Sequence, residues 1–268
     1  MLAMLPDPLP LPLTLALRAA RAVAVLTGAG VSAESGVPTF RDPDGLWAHV
    51  RPEEIATPEA FARDPERVWR WYASRRQAVA AAAPNAAHRA LAALEARVPR
   101  FTLITQNVDG LHARAGSRNV IELHGCLRRA RCHRCRAQAA AGWEAEERPP
   151  ACARCGGPVR PDVVWFGEDL AARDLHRALD ACVSADVVLV VGTSGLVEPA
   201  ASLAFAALDA GARVVEVNPE PTPLTDWAHD VLAGAAGVVL PEVVAGVVGR
   251  LIRTKGIRSR LDGWVGGL

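Results

Sequence analysis

Ala22-Val23-Ala24-Val25-Leu26-Thr27-Gly28-Ala29-Gly30-Val31-Ser32-Ala33 is the stretch on which the reading of the chain turns. Its first half is a continuous apolar run, the pattern of a strand buried on both faces. Its second half is G-x-G-x-x-G/A, in the strand-to-helix setting that a dinucleotide site requires. Gly28 permits a tight turn. Gly30 lets the backbone approach a pyrophosphate, which free N–H groups at the following helix start would hold. The same residues also suit an ordinary glycine turn. What comes next departs from hydride-transfer enzymes, which carry an acidic residue about 20 positions on to hold the ribose. Here Gly36 and Pro38 cut the helix short, and the chain enters the polar loop Thr39-Phe40-Arg41-Asp42-Pro43-Asp44-Gly45. A dinucleotide would be covered by that loop, as suits a cofactor that is cut rather than reduced.

Outward from this stretch, buried-strand patterns recur at Ala22–Leu26, Phe101–Thr105, Val187–Val191, Val214–Val217 and Val238–Leu240. Helical patterns lie at Ala86–Ala96, Ala171–Ala181, Pro199–Ala210 and Pro241–Leu251. The alternation predicts an α/β fold, a Rossmann-type parallel sheet covered by helices on both faces. Two segments break the rhythm. Residues 48–83 hold Asp64-Pro65, an N-cap followed by proline at the first helical position, then a tryptophan- and arginine-rich helix. Residues 126–158 hold paired cysteines and no sheet-like pattern. Both are assigned to a smaller helical and metal-binding domain, inserted into a larger domain over 14–250 whose core comprises 14–47, 84–125 and 159–250. Residues 1–13, broken by prolines, and 255–268 are expected to be flexible ends.

The 268 residues suit one large domain with an insert, and half of them are hydrophobic, enough for a core without disulfides. A net charge of +1 gives no bulk attraction to nucleic acid or an anionic membrane. No apolar run is long enough to span a bilayer, and the leader lacks the basic start of an export signal. Nearly all basic charge is arginine, with Lys255 the single lysine. Of six cysteines, four stand as Cys132-x-x-Cys135 and Cys152-x-x-Cys155, sixteen residues apart. That spacing suits a tetrahedral zinc site. Four sulfur ligands leave no open position for an activated water, so the metal would be structural. Two redox dithiols are the rival, and would need a thioredoxin-like setting. The cysteine usage points to a reducing compartment, with the cytoplasm as expected location. Cys126 and Cys182 read as small buried apolar residues.

Polar clusters follow several of the strands. Thr105-Gln106-Asn107-Val108-Asp109-Gly110-Leu111-His112 lies just beyond a strand's carboxyl end, where open α/β sheets bind ligands. His124 follows the apolar segment Val120–Leu123 and precedes Gly125; there an imidazole can act as general base near neutral pH, or serve structurally. Gly192-Thr193-Ser194 and Asn218-Pro219-Glu220 follow two further strands on the same edge. Each alone is a turn; together they outline a site.

In this order, these residues resemble the sirtuin family. The resemblance rests on Gly28 to Arg41, Thr105 to His112, His124-Gly125, both cysteine pairs, Val163-Val164-Trp165-Phe166-Gly167-Glu168, Gly192–Ser194 and Asn218–Glu220, spanning roughly residues 20 to 245. Tyr72-Ala73-Ser74-Arg75 is similar to the class III branch, which prefers acidic acyl groups on lysine. The resemblance implies an NAD-dependent protein-lysine deacylase with one structural zinc. NAD would lie between the domains, against Gly28, Ala29, Gly30, Ser32, Ala33, Glu34, Thr39, Phe40, Arg41 and Trp47. Gln106, Asn107, Val108 and Asp109 would border the nicotinamide ribose. Gly192, Thr193, Ser194, Asn218, Pro219, Glu220 and Ala236 would border the adenosine. His124 would be the base, with Asn107 and Asp109 as catalytic partners. Val164, Phe166, Gly167 and Glu168 would pair with the backbone of an acyl-lysine protein or peptide, and Tyr72 and Arg75 would read an acidic acyl end. Nicotinamide would leave as the acyl oxygen attacks the ribose, yielding free lysine and O-acyl-ADP-ribose. Asp42-Pro43-Asp44 departs from the small residues expected near an acidic acyl group. Rival readings are a dehydrogenase with a structural zinc, a zinc-ribbon binding module on an inert Rossmann core, and a mono-ADP-ribosyl transferase.

Overall fold

The computed structural model describes residues 10–38 and 50–248. Six strands form one parallel sheet: β1 (Ala22–Thr27), β2 (Arg100–Thr105), β3 (Val120–Glu122), β6 (Val187–Val191), β7 (Arg213–Asn218) and β8 (Asp230–Ala233). Their spatial order is β3-β2-β1-β6-β7-β8, so the chain reverses direction across the sheet between β1 and β6. A crevice beyond the carboxyl ends of those two strands is where such sheets bind ligands. The apolar strands are buried on both faces, and alternate residues feed two cores. Val23, Val25, Val187 and Leu189 pack with α1 (Leu11–Ala19), α6 (Ala86–Glu95) and α10 (Ala236–Val248). Ala24, Leu26, Val188 and Val190 pack with α8 (Ala172–Val183) and α9 (Ser202–Asp209). Among the described residues no helix is long and apolar enough to cross a membrane.

The remaining α-helices and strands are α2 (Gly30–Ala33), α3 (Pro52–Ile55), α4 (Pro58–Arg63), α5 (Pro65–Ala81), α7 (Leu111–Arg114), β4 (Gly125–Cys132) and β5 (Val159–Val163), with a 3-10 turn at Trp143–Ala145. The Asp64 side chain accepts from the Arg67 N–H and starts α5, as its sequence signal requires. Ile55, Phe61, Val68, Tyr72 and Val79 from α3 to α5 share a small core with Leu127, Val163 and Trp165.

Three expectations are corrected. Val238–Leu240 is not a strand but lies within α10. Ala236, Val239, Leu240, Val243 and Val244 are buried at helical spacing while Val238 is half exposed, and the last strand is instead β8. The cysteine-bearing insert does contain a sheet, because β4 pairs antiparallel with β5. A bulge between Cys126 and Ala130 breaks the alternation that would have revealed β4. β5 thus joins the small sheet rather than the large one. Finally, order begins before residue 14: α1 starts at Leu11, and Leu13 is fully buried in the core. The expected flexible tail lies outside the described residues.

Candidate active site

The two glycine loops at the reversal point touch. Gly28 N–H donates to Val191 O at 3.1 Å and Gly30 N–H to Gly192 O at 2.8 Å. A Cβ on Gly30 would lie 2.8 Å from the Gly192 Cα, and one on Gly192 (φ +58°) would lie 2.6 Å from the Val31 nitrogen. The glycines are therefore required by loop-on-loop contact. Val31 and Ser32 N–H groups bond Gly28 and Ala29 carbonyls, so the start of α2 is largely satisfied within the protein. Ala33 and Glu34 are exposed, and the Glu34 carboxylate accepts the Gly237 N–H at 2.6 Å, joining α2 to the start of α10 beside buried Ala236. Thr39, Phe40, Arg41, Trp47 and the Asp42-Pro43-Asp44 segment lie outside the described residues.

The loop after β2 carries a buried polar cluster. Asp109 accepts from Ser32 Oγ and from Leu111 N–H, both at 2.8 Å, and Asn107 Nδ2 donates to Ser32 Oγ at 3.1 Å. Burial raises the Asp109 pKa, opposed by these two hydrogen bonds. Gln106 Nε2 donates to Thr193 Oγ1 at 3.0 Å, and Asn218 Nδ2 to Thr193 O at 3.0 Å, linking three strand ends. Pro219 and Glu220 are exposed beyond Asn218. Val108 faces the small domain, its carbonyl accepting from Leu127 N–H.

His124 stands at the end of β3 with Nδ1 at 2.9 Å from the Gln106 carbonyl oxygen. A carbonyl only accepts, so Nδ1 carries the proton and the Nε2 lone pair is left for chemistry. Burial lowers the His124 pKa, with the Gln106 bond acting against it. Gly125 has φ +81°, and a Cβ there would lie 2.1 Å from Asp162 O, so glycine at this position lets β5 approach the catalytic histidine candidate.

Two histidines that were not assigned roles join this cluster. His88 Nε2 lies 3.4 Å from Ser32 Oγ, and His112 Nε2 lies 3.1 Å from Thr27 Oγ1, which donates to Thr105 Oγ1 at 2.8 Å. Burial depresses both, to about 4 for His88 and about 3 for His112, so both are neutral imidazoles. His88 also sits in a capping box with Asn85 at the start of α6, the one local signal that marks it.

The four paired cysteines meet, their sulfurs within 4.8 Å of one another, with Cys132–Cys155 at 3.4 Å and Cys135–Cys152 at 3.7 Å. Tetrahedral zinc–thiolate bonds of about 2.3 Å set sulfurs about 3.8 Å apart, so the donor set fits zinc. Cys135 and Arg154 N–H groups point at the Cys132 and Cys152 sulfurs. Cys126 and Cys182 are buried away from this cluster, as expected.

On α5, Tyr72 is buried and its hydroxyl accepts from Trp165 Nε1 at 2.9 Å. The Arg75 guanidinium lies over the Trp71 ring at 4.9 Å, and its buried Nε has no hydrogen-bond partner among the described residues. In the loop after β5, Val164 N–H donates to His124 O and Phe166 N–H to Ala56 O, while Phe166 as a residue is 53% exposed. Gly167 has φ +82°, and the Glu168 carboxylate turns inward to Arg160.

A Rossmann-ordered sheet with glycine loops and a histidine at its carboxyl edge, joined to a four-cysteine module on a second small sheet, defines a dinucleotide-dependent enzyme with a structural metal. The chain belongs to the Sir2 family, whose model matches residues 28–199. It is 54% identical over 232 residues to NAD-dependent protein deacylase 2 of Pyrobaculum aerophilum, covering 87% of this chain and 93% of that one. It is similar to a Sir2 homologue solved in complex with NAD, at TM-score 0.85 and 49% identity, over 90% of this chain and 94% of that one. It is also similar to a mutant Sir2 homologue solved with 2′-O-acetyl ADP ribose, at TM-score 0.83 and 47% identity, over 92% and 100% of the two chains.

Proposed function

We propose that this chain is a sirtuin-type NAD-dependent protein-lysine deacylase that, with uptake of one water, converts NAD and acyl-lysine into nicotinamide, free lysine and O-acyl-ADP-ribose, and favours acyl groups ending in a carboxylate, such as succinyl and malonyl. The observation that carries the reaction is the His124–Gln106 hydrogen bond, which holds the proton on Nδ1 and leaves the Nε2 lone pair for chemistry. NAD, when bound, supplies the ribose carbon that accepts the acyl oxygen. His124 removes a proton from a ribose hydroxyl, as general base. Asn107 and Asp109, locked through Ser32, orient that ribose. The crevice from Gly28 to Glu34, with Thr39, Phe40, Arg41 and Trp47, takes the pyrophosphate and nicotinamide. Gly192–Ser194, Asn218–Glu220 and Ala236 take the adenosine. Val164, Phe166, Gly167 and Glu168 hold the substrate backbone, and the zinc on Cys132, Cys135, Cys152 and Cys155 holds the small domain. A reducing setting such as the cytoplasm suits those thiols.

The acidic-acyl preference is supported by the unpartnered Nε of Arg75, one turn of α5 from Tyr72, whose hydroxyl accepts from Trp165 and so keeps its proton to donate. Mass spectrometry after incubation with NAD and matched acetyl- and succinyl-lysine peptides tests the proposal. Freed lysine, nicotinamide and O-acyl-ADP-ribose are expected, with the succinyl peptide consumed faster. Reduced dinucleotide would mean hydride transfer, and an ADP-ribosylated peptide would mean ADP-ribosyl transfer.

A further inference from the structure

Arg160 on β5 is buried, its side chain 2% exposed, which is a rare place for a guanidinium. Each nitrogen of its fork is engaged. Nε donates to Pro161 O at 3.3 Å, Nη1 to Glu168 Oε1 at 2.7 Å, and Nη2 to Glu168 Oε2 at 2.9 Å and Val163 O at 2.6 Å. Its Cζ lies 3.2 Å from the centroid of the Trp165 ring. Glu168 Oε2 also accepts the Trp165 backbone N–H at 2.9 Å, and Trp165 Nε1 donates to the Tyr72 hydroxyl. One guanidinium therefore ties both ends of the 163–168 loop and stacks on the tryptophan at its centre, which in turn holds Tyr72.

The pair ends a ladder of alternating charge. Arg131 lies 3.7 Å from Glu168 and 3.4 Å from Asp162, Arg129 lies 3.2 Å from Asp162, and Arg129 lies 2.6 Å from Glu122 at the end of β3. Glu122 is two residues before His124. The ladder thus runs from the loop, across β5 and β4, to the strand that carries the histidine. A buried ion pair is a poor source of stability compared with apolar packing, whereas a bidentate fork fixes geometry.

We infer that Arg160, through its bidentate pair with Glu168, is a positioning residue for substrate: it sets the 164–168 backbone for the acyl peptide and, through Trp165, sets Tyr72. The inference rests on the reading of this loop as the peptide-binding segment. It also gives Glu168 a different part from the one expected of it, since its carboxylate is used to shape the loop.

The test uses the full-length, zinc-loaded protein and the variants Arg160→Met, Arg160→Lys, Glu168→Gln and Gly167→Val. Peptide KM, NAD KM and kcat are measured on succinyl and acetyl peptides, with zinc content and unfolding temperature as folding controls. Loss of this charged hydrogen bonding is expected to raise peptide KM about tenfold or more in Arg160→Met, with NAD KM and kcat at saturating peptide little changed. The succinyl peptide should lose more than the acetyl one, and Arg160→Lys should recover part of the loss. If Arg160→Met does not fold, Glu168→Gln, which keeps the bulk of the side chain, decides. Unchanged peptide KM in folded Glu168→Gln and Arg160→Met overturns the inference. Equal losses on both peptides overturn the link to Tyr72. Gly167→Val separates the two levels. If it also leaves peptide KM unchanged, the loop reading itself fails; if it raises peptide KM while the Arg160 and Glu168 variants do not, only the inference fails.

Discussion

The imidazole of His124 is held by the backbone carbonyl of Gln106, at 2.9 Å from Nδ1, so the end of β3 is oriented by the residue that leaves β2. A side chain fixed by backbone in this way keeps one tautomer. His124→Ala should reduce deacylation by about 10²–10⁴ while leaving zinc content and unfolding temperature close to wild type. Because burial lowers the His124 pKa, the acid limb of kcat/KM should fall below the ordinary histidine value of about 6.5. An acid limb above that value would assign the titration to another group.

The contact between the glycine loops predicts a defect confined to the cofactor side. Gly192→Ala places a Cβ 2.6 Å from the Val31 nitrogen at φ +58°. The left-handed backbone alone costs an alanine about 1–2 kcal/mol, and the clash pushes the loops apart. NAD KM should rise with zinc content unchanged, and Gly192→Ala kinetics identical to wild type would show that the loops tolerate separation.

Metal analysis should find one zinc per chain. Cys132→Ala or Cys155→Ala removes one of four sulfurs that lie within 4.8 Å of one another. Structural zinc contributes on the order of 10 kcal/mol in small modules, so these variants should lose zinc and unfold the β4–β5 region, detected by proteolysis. A metal-free, protease-resistant and active Cys155→Ala protein would contradict this.

Acyl selectivity should depend on Arg75. A charge-assisted hydrogen bond is worth about 1.5–3 kcal/mol, or roughly ten- to a hundredfold. Arg75→Met should lose that factor in kcat/KM on succinyl peptide and keep acetyl activity. A wild type that prefers acetyl would remove the acidic-acyl assignment, and equal losses on both peptides would make Arg75 structural.

Acid stability should track His88 and His112. Their folded pKa values, about 4 and about 3, lie below the unfolded value of 6.5. As pH falls from 6.5 the unfolded chain takes up protons that the folded chain refuses, so stability falls through that window toward pH 4. Each imidazole contributes up to about 3 kcal/mol to the loss. Urea unfolding at pH 7 and pH 4.5 checks this, and His112→Asn should flatten the dependence if it folds. Stability that rises toward pH 4.5 would contradict the burial of neutral rings.

Much of the site was legible because its signals are local. The Asp64 cap works within one turn of α5, the Cys-x-x-Cys turns bring their own N–H groups to sulfur, and β1 leads directly into its glycine loop. The continuous apolar strand runs also put Thr105–His112, Gly192 and Asn218 on one edge, since parallel strands align their carboxyl ends. The acyl-reading role proposed for Arg75 and the substrate role proposed for the 164–168 loop rest instead on family resemblance.

What the sequence by itself determined is the four central strands β1, β2, β6 and β7 with the helices α6, α8 and α9 between them, the polar turns that follow those strands, and the chemistry of the four-thiol cluster, all set by neighbours within a few residues. Tertiary structure alone decided which distant groups meet. The pairing of β4 with β5 is hidden by a bulge, and three valine-rich residues at 238–240 become helix because their burial follows the longer period of α10. Gly28 and Gly30 are glycines because Gly192, more than 160 residues away, abuts them. His88 and His112 reach Ser32 and Thr27 only once helices and strands far apart in the chain are packed. Such contacts leave no trace in local periodicity, because the free energy that selects them comes from burying groups that the chain keeps far apart.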